Sequence, residues 1–160
     1  MPIQVGDKVP EVTLKTMTAD GIKDVTTRDL FGGKRVVLFA VPGAFTPTCS
    51  AKHLPGFIEQ ADALRAKGAD RIVCLSVNDA FVMGAWGKAQ NAGDKVMLVA
   101  DGNAAFSEAV GLAFDGSGFG MGTRSQRYAM IVQDGVVKKL FVEKPMEFKA
   151  SSAEAVLAAL

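Results

Sequence analysis

In a chain of 160 residues, two cysteines and one histidine are the side chains that could act as nucleophiles or soft metal ligands. Cys49 lies in Val41-Pro42-Gly43-Ala44-Phe45-Thr46-Pro47-Thr48-Cys49-Ser50. An apolar run enters this segment, a proline-stiffened loop crosses it and a helical pattern leaves it. The thiol therefore falls in the first turn of a helix, where free N–H groups and the helix dipole favour negative charge. Cysteines at helix starts can have pKa values of about 3.5–7.5. The chemistry on offer is that of a thiolate nucleophile, with the hydroxyls of Thr46 and Thr48 within local reach. The competing reading is a buried thiol that only packs.

Cys74 sits in Arg71-Ile72-Val73-Cys74-Leu75-Ser76-Val77, which reads as a buried strand, and is expected to be an inert core thiol. His53 follows Cys49 by four residues, so the two can share a helix face. That spacing opens a Cys–His acyl-transfer reading. Such pairs usually join elements distant in sequence, and Pro55 disturbs this turn, so a structural or solvated histidine is expected instead. The cysteines form no C-x-x-C pair and no zinc spacing, and neither a metal nor a bound organic cofactor is expected.

The elements that must position these residues can be read from periodicity and turn chemistry. Residues 36–41 form a continuous apolar run, which suits a strand buried on both faces. Leu54, Phe57, Ile58, Ala61 and Leu64 recur at helical spacing up to a stop at Gly68. Pro55 should free the carbonyl of Ala51 and kink this helix. Residues 71–77 and 95–100 read as further strands. Asn78 and Asp79 can cap a helix over 81–90, and 103–110 reads as a short helix. Ala19-Asp20-Gly21 marks a hairpin near the start, and Asp134-Gly135 a type I′ hairpin joining 127–133 to 136–142. The glycine-rich stretch 114–122 reads as a loop. It precedes a strand rather than opening a helix, so it is no phosphate cradle. Ser151 and Glu154 have capping-box spacing for a final helix ending at Leu160. Alternating strands and helices predict one α/β domain over residues 1–160. Its central sheet is expected to be mainly parallel, with helices on both faces, extra N-terminal strands and a C-terminal β-hairpin as an antiparallel edge. This order resembles a thioredoxin-like fold.

Composition narrows the function. Hydrophobic residues make up 49% and charged residues 22%, with a formal net charge of +1 and no long block of one sign. That argues against an electrostatic binder of nucleic acid or membrane surfaces. No apolar run approaches the ~20 residues that span a bilayer, and the first residues lack the basic-then-apolar order of a signal peptide. Two cysteines do not make a disulfide scaffold. A soluble, cytoplasmic protein is expected.

The spacing Pro42-x-x-x-Thr46-x-x-Cys49 resembles the peroxiredoxin active-site signature. The strings PGAFTPTCS and KHLPGF, then SVNDAFVMGAWGK, VADG and RYAMIVQDG, are similar to the type II, or five-type, branch and follow in order along nearly the whole chain. This resemblance implies a thiol-dependent peroxidase acting in antioxidant defence on hydrogen peroxide and organic hydroperoxides. Cys49 would be the peroxidatic cysteine, Thr46 would hydrogen-bond the peroxide and the sulfur, and Pro42 would shield the site. Arg127 would favour the thiolate and polarise the O–O bond, with Arg124 as an assistant or a solvated charge. Backbone N–H groups, the Thr46 hydroxyl and the Arg127 guanidinium would be the donors to the developing oxyanion. Related enzymes with a resolving cysteine carry it near the C-terminus, where this chain has Lys149-Ala150-Ser151-Ser152-Ala153. The pattern is closer to one-cysteine-acting plant and bacterial members. A Cys49 sulfenic acid would then be cleared by an external thiol, from glutathione with glutaredoxin or from thioredoxin, and the family implies a non-covalent homodimer. A redox sensor without turnover and a Cys–His acyl-transfer enzyme stay open as alternatives.

Overall fold

A computed structural model describes residues 2–160. Its chain order begins with the strands β1 (Thr13–Thr18) and β2 (Gly21–Thr26), α1 (Thr27–Phe31) and β3 (Arg35–Val41). A π turn over Cys49–His53 leads into α2 (Leu54–Glu59) and α3 (Ala61–Ala66). Then come β4 (Arg71–Ser76), α4 (Ala80–Ala89), β5 (Met97–Ala100) and α5 (Ala105–Ala109). A short hairpin, β6 (Ala113–Asp115) and β7 (Thr123–Ser125), precedes β8 (Tyr128–Gln133), β9 (Val136–Val142) and α6 (Ala153–Ala159).

Seven strands form one sheet in the order β2-β1-β5-β4-β3-β8-β9. Only β3, β4 and β5 run parallel to one another. Both flanks are antiparallel: β1 pairs with β2 and β5 on one side, and β8 with β3 and β9 on the other. The sheet is thus mixed, parallel at its centre, where the sequence pattern leads one to expect parallel pairing over most of its width. The difference lies where the two hairpins dock: their inner strands β1 and β8 also run antiparallel to the parallel strands beside them, β5 and β3. At the second turn Asp134 and Gly135 both have positive φ, 47° and 78°, as a type I′ turn requires. The arrangement around β4-β3-β8-β9 is thioredoxin-like.

Alternation along β3 separates two cores. Val37, Phe39 and Val41 pack with Cys49, Leu54, Phe57, Leu64, Met83, Trp86 and Val156 on one face. Val36, Leu38 and Ala40 pack with Leu30, Phe31 and Phe106 on the other. Helices therefore cover both faces. Cys49 and Cys74 share the first core, and Cys74 lies mid-sheet between Phe39 of β3 and Leu98 of β5.

Three local expectations are revised. The helix after Cys49 is not continuous: it opens as a π turn and is interrupted again at Gln60, between α2 and α3. Residues 114–122 are not all loop, because β6 and β7 pair across them. Strands of three residues carry too little alternation to be seen in sequence. The cap of α6 is Ser152, whose Oγ accepts from the Ala155 N–H, and not Ser151. Ser151 is buried, and its N–H and Oγ both donate to the Glu143 carboxylate at 2.7 Å.

This division predicts two different costs. Ser152→Ala should lower stability by about 1 kcal/mol through loss of a cap. Ser151→Ala should cost about 1.5–3 kcal/mol, since it removes a bond to a buried charged group. Urea unfolding of the two variants checks the ranking; an equal or reversed order contradicts it.

Candidate active site

The loop after β3 is drawn tight around a short turn. Phe45 occupies the left-handed region at φ 63°, an unfavourable conformation for a bulky residue. The turn lets the Thr46 Oγ donate to the Gly43 carbonyl at 2.6 Å. Gly43 is needed for crowding: a Cβ there would lie 2.9 Å from Arg124 Nη1 and 3.0 Å from Thr46 Cγ2. Asn78 fastens the loop to the end of β4, its Oδ1 accepting from the Ala44 N–H at 2.9 Å and from Ser76 Oγ at 2.6 Å. The helix cap at this position is Asp79 alone, accepting from the Val82 N–H. Arg124 donates to the carbonyls of Met121, at 3.0 Å, and Pro42, at 3.4 Å. It therefore braces the loop backbone, and its hydrogen bonds go to that backbone rather than to the sulfur.

Helical winding begins at Pro47 and reaches Cys49 within its first turn. The Ser50 N–H donates to the Thr46 carbonyl at 2.9 Å, and the Leu54 N–H closes the π turn on the Cys49 carbonyl. In that widened ladder the partner of the Ser50 carbonyl would be residue 55, a proline without an N–H. The Gln90 side chain supplies the missing donor at 3.1 Å, and Trp86 Nε1 donates to Ser50 Oγ at 3.0 Å. Trp86 and Met83 are core residues, whereas Phe45 and Phe81 are exposed.

Arg127 immediately precedes β8, whose antiparallel register sets Tyr128 opposite Ala40 of β3. Arg127 thus stands beside the end of β3, where the Cys49 loop departs. Its side chain has the same parity as Ala129 and Ile131, which face the Cys49 core. Arg127 Nη2 donates to Cys49 Sγ at 3.0 Å, and Nη1 donates to His53 Nδ1 at 2.8 Å. His53 Nε2 donates to the Ser151 carbonyl at 2.9 Å. Phe148 lies against both groups, its ring centroid 4.8 Å from that of His53 and 5.8 Å from the guanidinium carbon.

Of the residues picked out by sequence, Cys49 and Arg127 are in contact, and Thr46 and Pro42 belong to the loop that enters the same helix start. Thr46 departs from its expected role as an oxyanion donor: its proton goes to Gly43, which leaves the oxygen as an acceptor. For His53 the sequence offers a structural or a solvated residue, and the structure shows it fully buried. Burial first, and then the Arg127 cation, lower its pKa from 6.5 to about 3. With both ring nitrogens engaged, it has no lone pair for the Cys49 proton, so the Cys–His pair is not formed. Sequence reasoning misses the contact of His53 with Arg127 and the packing of Phe148. The four-residue spacing to Cys49 is visible, but nothing in sequence brings Arg127 to the same turn. Cys74 is buried, and burial followed by the nearby Cys49 pushes its thiol well above the ordinary range. Both cysteines are free thiols. Among the described residues no group of three His, Cys, Asp or Glu side chains is placed to hold a metal, and no helix is long and apolar enough to cross a membrane.

A strand running into a proline–threonine loop, with a thiol at the helix start under an arginine fork, defines a thiol-redox site on a thioredoxin-like sheet. The redoxin family model matches residues 4–157. Peroxiredoxin-2E-2, chloroplastic, of Oryza sativa subsp. japonica is 55% identical over 163 residues, covering 99% of this chain and 72% of that protein. Peroxiredoxin-2B of Arabidopsis thaliana is 48% identical over 160 residues and 99% of both chains. The crystal structure of reduced Prx3 from Vibrio vulnificus in complex with hydrogen peroxide superposes with a TM-score of 0.95 at 56% identity, over 98% of each chain. The chain belongs to the redoxin family and, within it, to the type II peroxiredoxins. It is a thiol-dependent peroxidase of antioxidant function.

The single histidine makes one consequence measurable. In the unfolded chain it binds a proton near pH 6.5, while in the fold it stays neutral down to about pH 3. The unfolded state then holds more protons, so stability falls as pH drops below 6.5, with a slope approaching about 1.4 kcal/mol per pH unit. The carboxylates of Asp29, Asp115 and Glu143, all held below their ordinary range, act only at lower pH. Urea unfolding between about pH 5 and 6.5 should show this slope; a flat profile there would contradict the buried neutral imidazole.

Proposed function

We propose that Cys49 is the attacking thiolate of a one-cysteine peroxide reductase, with Arg127, Thr46 and Pro42 completing the site. The observation that carries this reading is the Arg127 Nη2 donation to Cys49 Sγ, 3.0 Å away, at a helix start. The guanidinium stays charged and offers a fixed planar fork, one end of which meets the sulfur. Thr46 Oγ, its proton committed to Gly43, accepts the O–H of the incoming peroxide and so orients it. Pro42 shields the loop side of the pocket.

In the step itself the sulfur lone pair attacks one peroxide oxygen. The S–O bond forms as the O–O bond breaks, and the electron pair leaves with the distal oxygen. That oxygen departs as hydroxide from hydrogen peroxide, or as alkoxide from an organic hydroperoxide, and takes up a proton. Cys49 is left as a sulfenic acid. The guanidinium and the open N–H groups of the first turn face the charge that develops on the leaving oxygen. The complex of Vibrio vulnificus Prx3 with hydrogen peroxide supports that substrate for a chain this similar.

An external thiol then condenses with the sulfenic acid, releasing water, and a second thiol reduces the mixed disulfide. Glutathione with glutaredoxin, or thioredoxin, fills this role. Cys74 is an unsuitable resolving group, being mid-sheet, fully buried and disfavoured as a thiolate. The protein acts in the cytoplasm as a non-covalent homodimer. Exposed Phe45, Phe81 and Phe119, at 56%, 66% and 72%, supply apolar surface for the second copy. Peroxidase assays with each reductant in turn, and sedimentation of the purified protein, test these assignments.

Cys49→Ser should abolish peroxide reduction, because a hydroxyl is far too weakly acidic to replace the thiol. Thr46→Val should slow sulfenic acid formation by about 10²-fold, through loss of the acceptor that orients the peroxide, while the protein remains folded. After one equivalent of peroxide, intact-mass spectrometry should find one added oxygen, converted by glutathione to a mixed disulfide. An active Cys49→Ser enzyme, or loss of two hydrogens mapped to a Cys49–Cys74 pair, would overturn the one-cysteine cycle.

A further inference from the structure

We propose that His53 is a positioning residue of the peroxidase: its neutral Nδ1 holds one arm of the Arg127 guanidinium so that the other arm meets the Cys49 sulfur. The inference rests on the reading of Cys49 as the attacking group. A free arginine side chain samples many rotamers, and a guanidinium displaced by about 1 Å can lose about 10²-fold in rate. Here the fork is pinned at both ends, by His53 Nδ1 at 2.8 Å and by Cys49 Sγ at 3.0 Å.

The choice of acceptor has an electrostatic consequence. Among the described residues no carboxylate lies within ion-pair distance of Arg127. A carboxylate in the place of His53 would orient the guanidinium but would also neutralise it, weakening its attraction for the sulfur anion. A neutral imidazole supplies a lone pair and no charge. The rest of the surroundings keep it in that state. The Ser151 carbonyl accepts from Nε2, which fixes the tautomer and leaves the Nδ1 lone pair for Arg127. Ser151 is itself anchored through its N–H and Oγ to Glu143. The rings of Phe39, Phe57 and Phe148 surround the imidazole, with centroids 4.9, 5.6 and 4.8 Å away. They exclude the water that would stabilise an imidazolium.

Two substitutions separate this role from a merely structural one. In His53→Asn the Oδ1 stands on the same γ carbon as Nδ1 and can accept from Arg127, while the donor to Ser151 is lost. In His53→Gln the side-chain amide reaches towards the Nε2 position and can keep the Ser151 bond, while the acceptor for Arg127 is lost. Rapid-mixing oxidation by hydrogen peroxide, the thiolate fraction from ultraviolet absorbance and a thermal melt would be recorded for each variant. The proposal expects His53→Gln to oxidise about 10–10²-fold more slowly with a smaller thiolate fraction, and His53→Asn to stay close to wild type in both even where its melt is lower. Equal loss in the two variants, no loss in either, or greater loss in His53→Asn would overturn it. Cys49→Ser is run alongside: persistent turnover there would show instead that the underlying reading of Cys49 has failed. Should both His53 variants misfold, the wild-type protein still decides the matter. With ¹⁵N-labelled histidine, nuclear magnetic resonance should show a single Nε2–H imidazole unchanged from about pH 5 to about pH 8. The Nδ1–H tautomer, or titration near pH 6.5, would overturn the proposal.

Discussion

A sulfur that is to carry negative charge out of reach of water, as the proposed role of Cys49 requires, needs its counter-charge supplied by the protein. Cys49 is fully buried, and an anion there is tenable only where fixed donors replace hydration. The contact from Arg127 Nη2 supplies that partner. Most of the peculiarities of the surrounding chain can be referred to this pairing. The helix winds from Pro47, which places the sulfur in its first turn, where a helix start favours negative charge. The loop before it must be rigid, and it is bound to the core by Asn78 and Arg124 rather than by regular structure. The π turn widens the helix ahead of Pro55, and Gln90 satisfies the carbonyl that the proline leaves open.

The cation reaches the sulfur through sheet topology. Because β8 inserts antiparallel beside β3, the residue before β8 stands next to the residues that follow β3. Seventy-eight positions of sequence separate the two members of the pair, and one ladder closes that gap. The second hairpin thus does more than finish an edge. The glutamate just beyond β9, Glu143, donates its N–H to the Arg127 carbonyl and gathers Lys149 and Ser151 with its carboxylate. The arginine's backbone and the far side of His53 are consequently tied to the same residue.

Much of this fold is legible in sequence because its signals are local. Period-two and period-3.6 patterns, Asp-Gly turns and the apolar run into Pro42 each announce themselves within a few residues. The helix-start place of Cys49, with the Thr46 hydroxyl and the proline-stiffened loop beside it, is legible for the same reason, whereas the roles expected of Thr46, Pro42 and Arg127 come from the resemblance to a known family. What escapes depends on register and burial. In sequence His53 looks like a helix residue whose partner, if any, would be Cys49 on its own face, whereas the partner that binds it comes from the start of β8. Ser151 looks like a cap because its spacing to Glu154 suits one; the adjacent serine takes the cap, and Ser151 turns inward to Glu143. The parallel character of the sheet is overestimated because alternation of strands and helices describes only its centre.

The two cysteines show how far one core can give the same residue type two different surroundings. Both are fully buried, both are free, and both face the same apolar core. Cys74 occupies the middle of a parallel ladder with Phe39 and Leu98 on either side, and its backbone groups are already spent on the sheet. Burial and the neighbouring Cys49 both raise its pKa, against a smaller opposing effect of Arg127. Cys49 instead meets the arginine directly, in the first turn of a helix. The Arg127 fork meets the sulfur beyond the end of β3 rather than the one in the middle of the sheet. Among the described residues no side chain donates to the Cys74 sulfur, and the backbone on both sides of it is engaged in holding the sheet together.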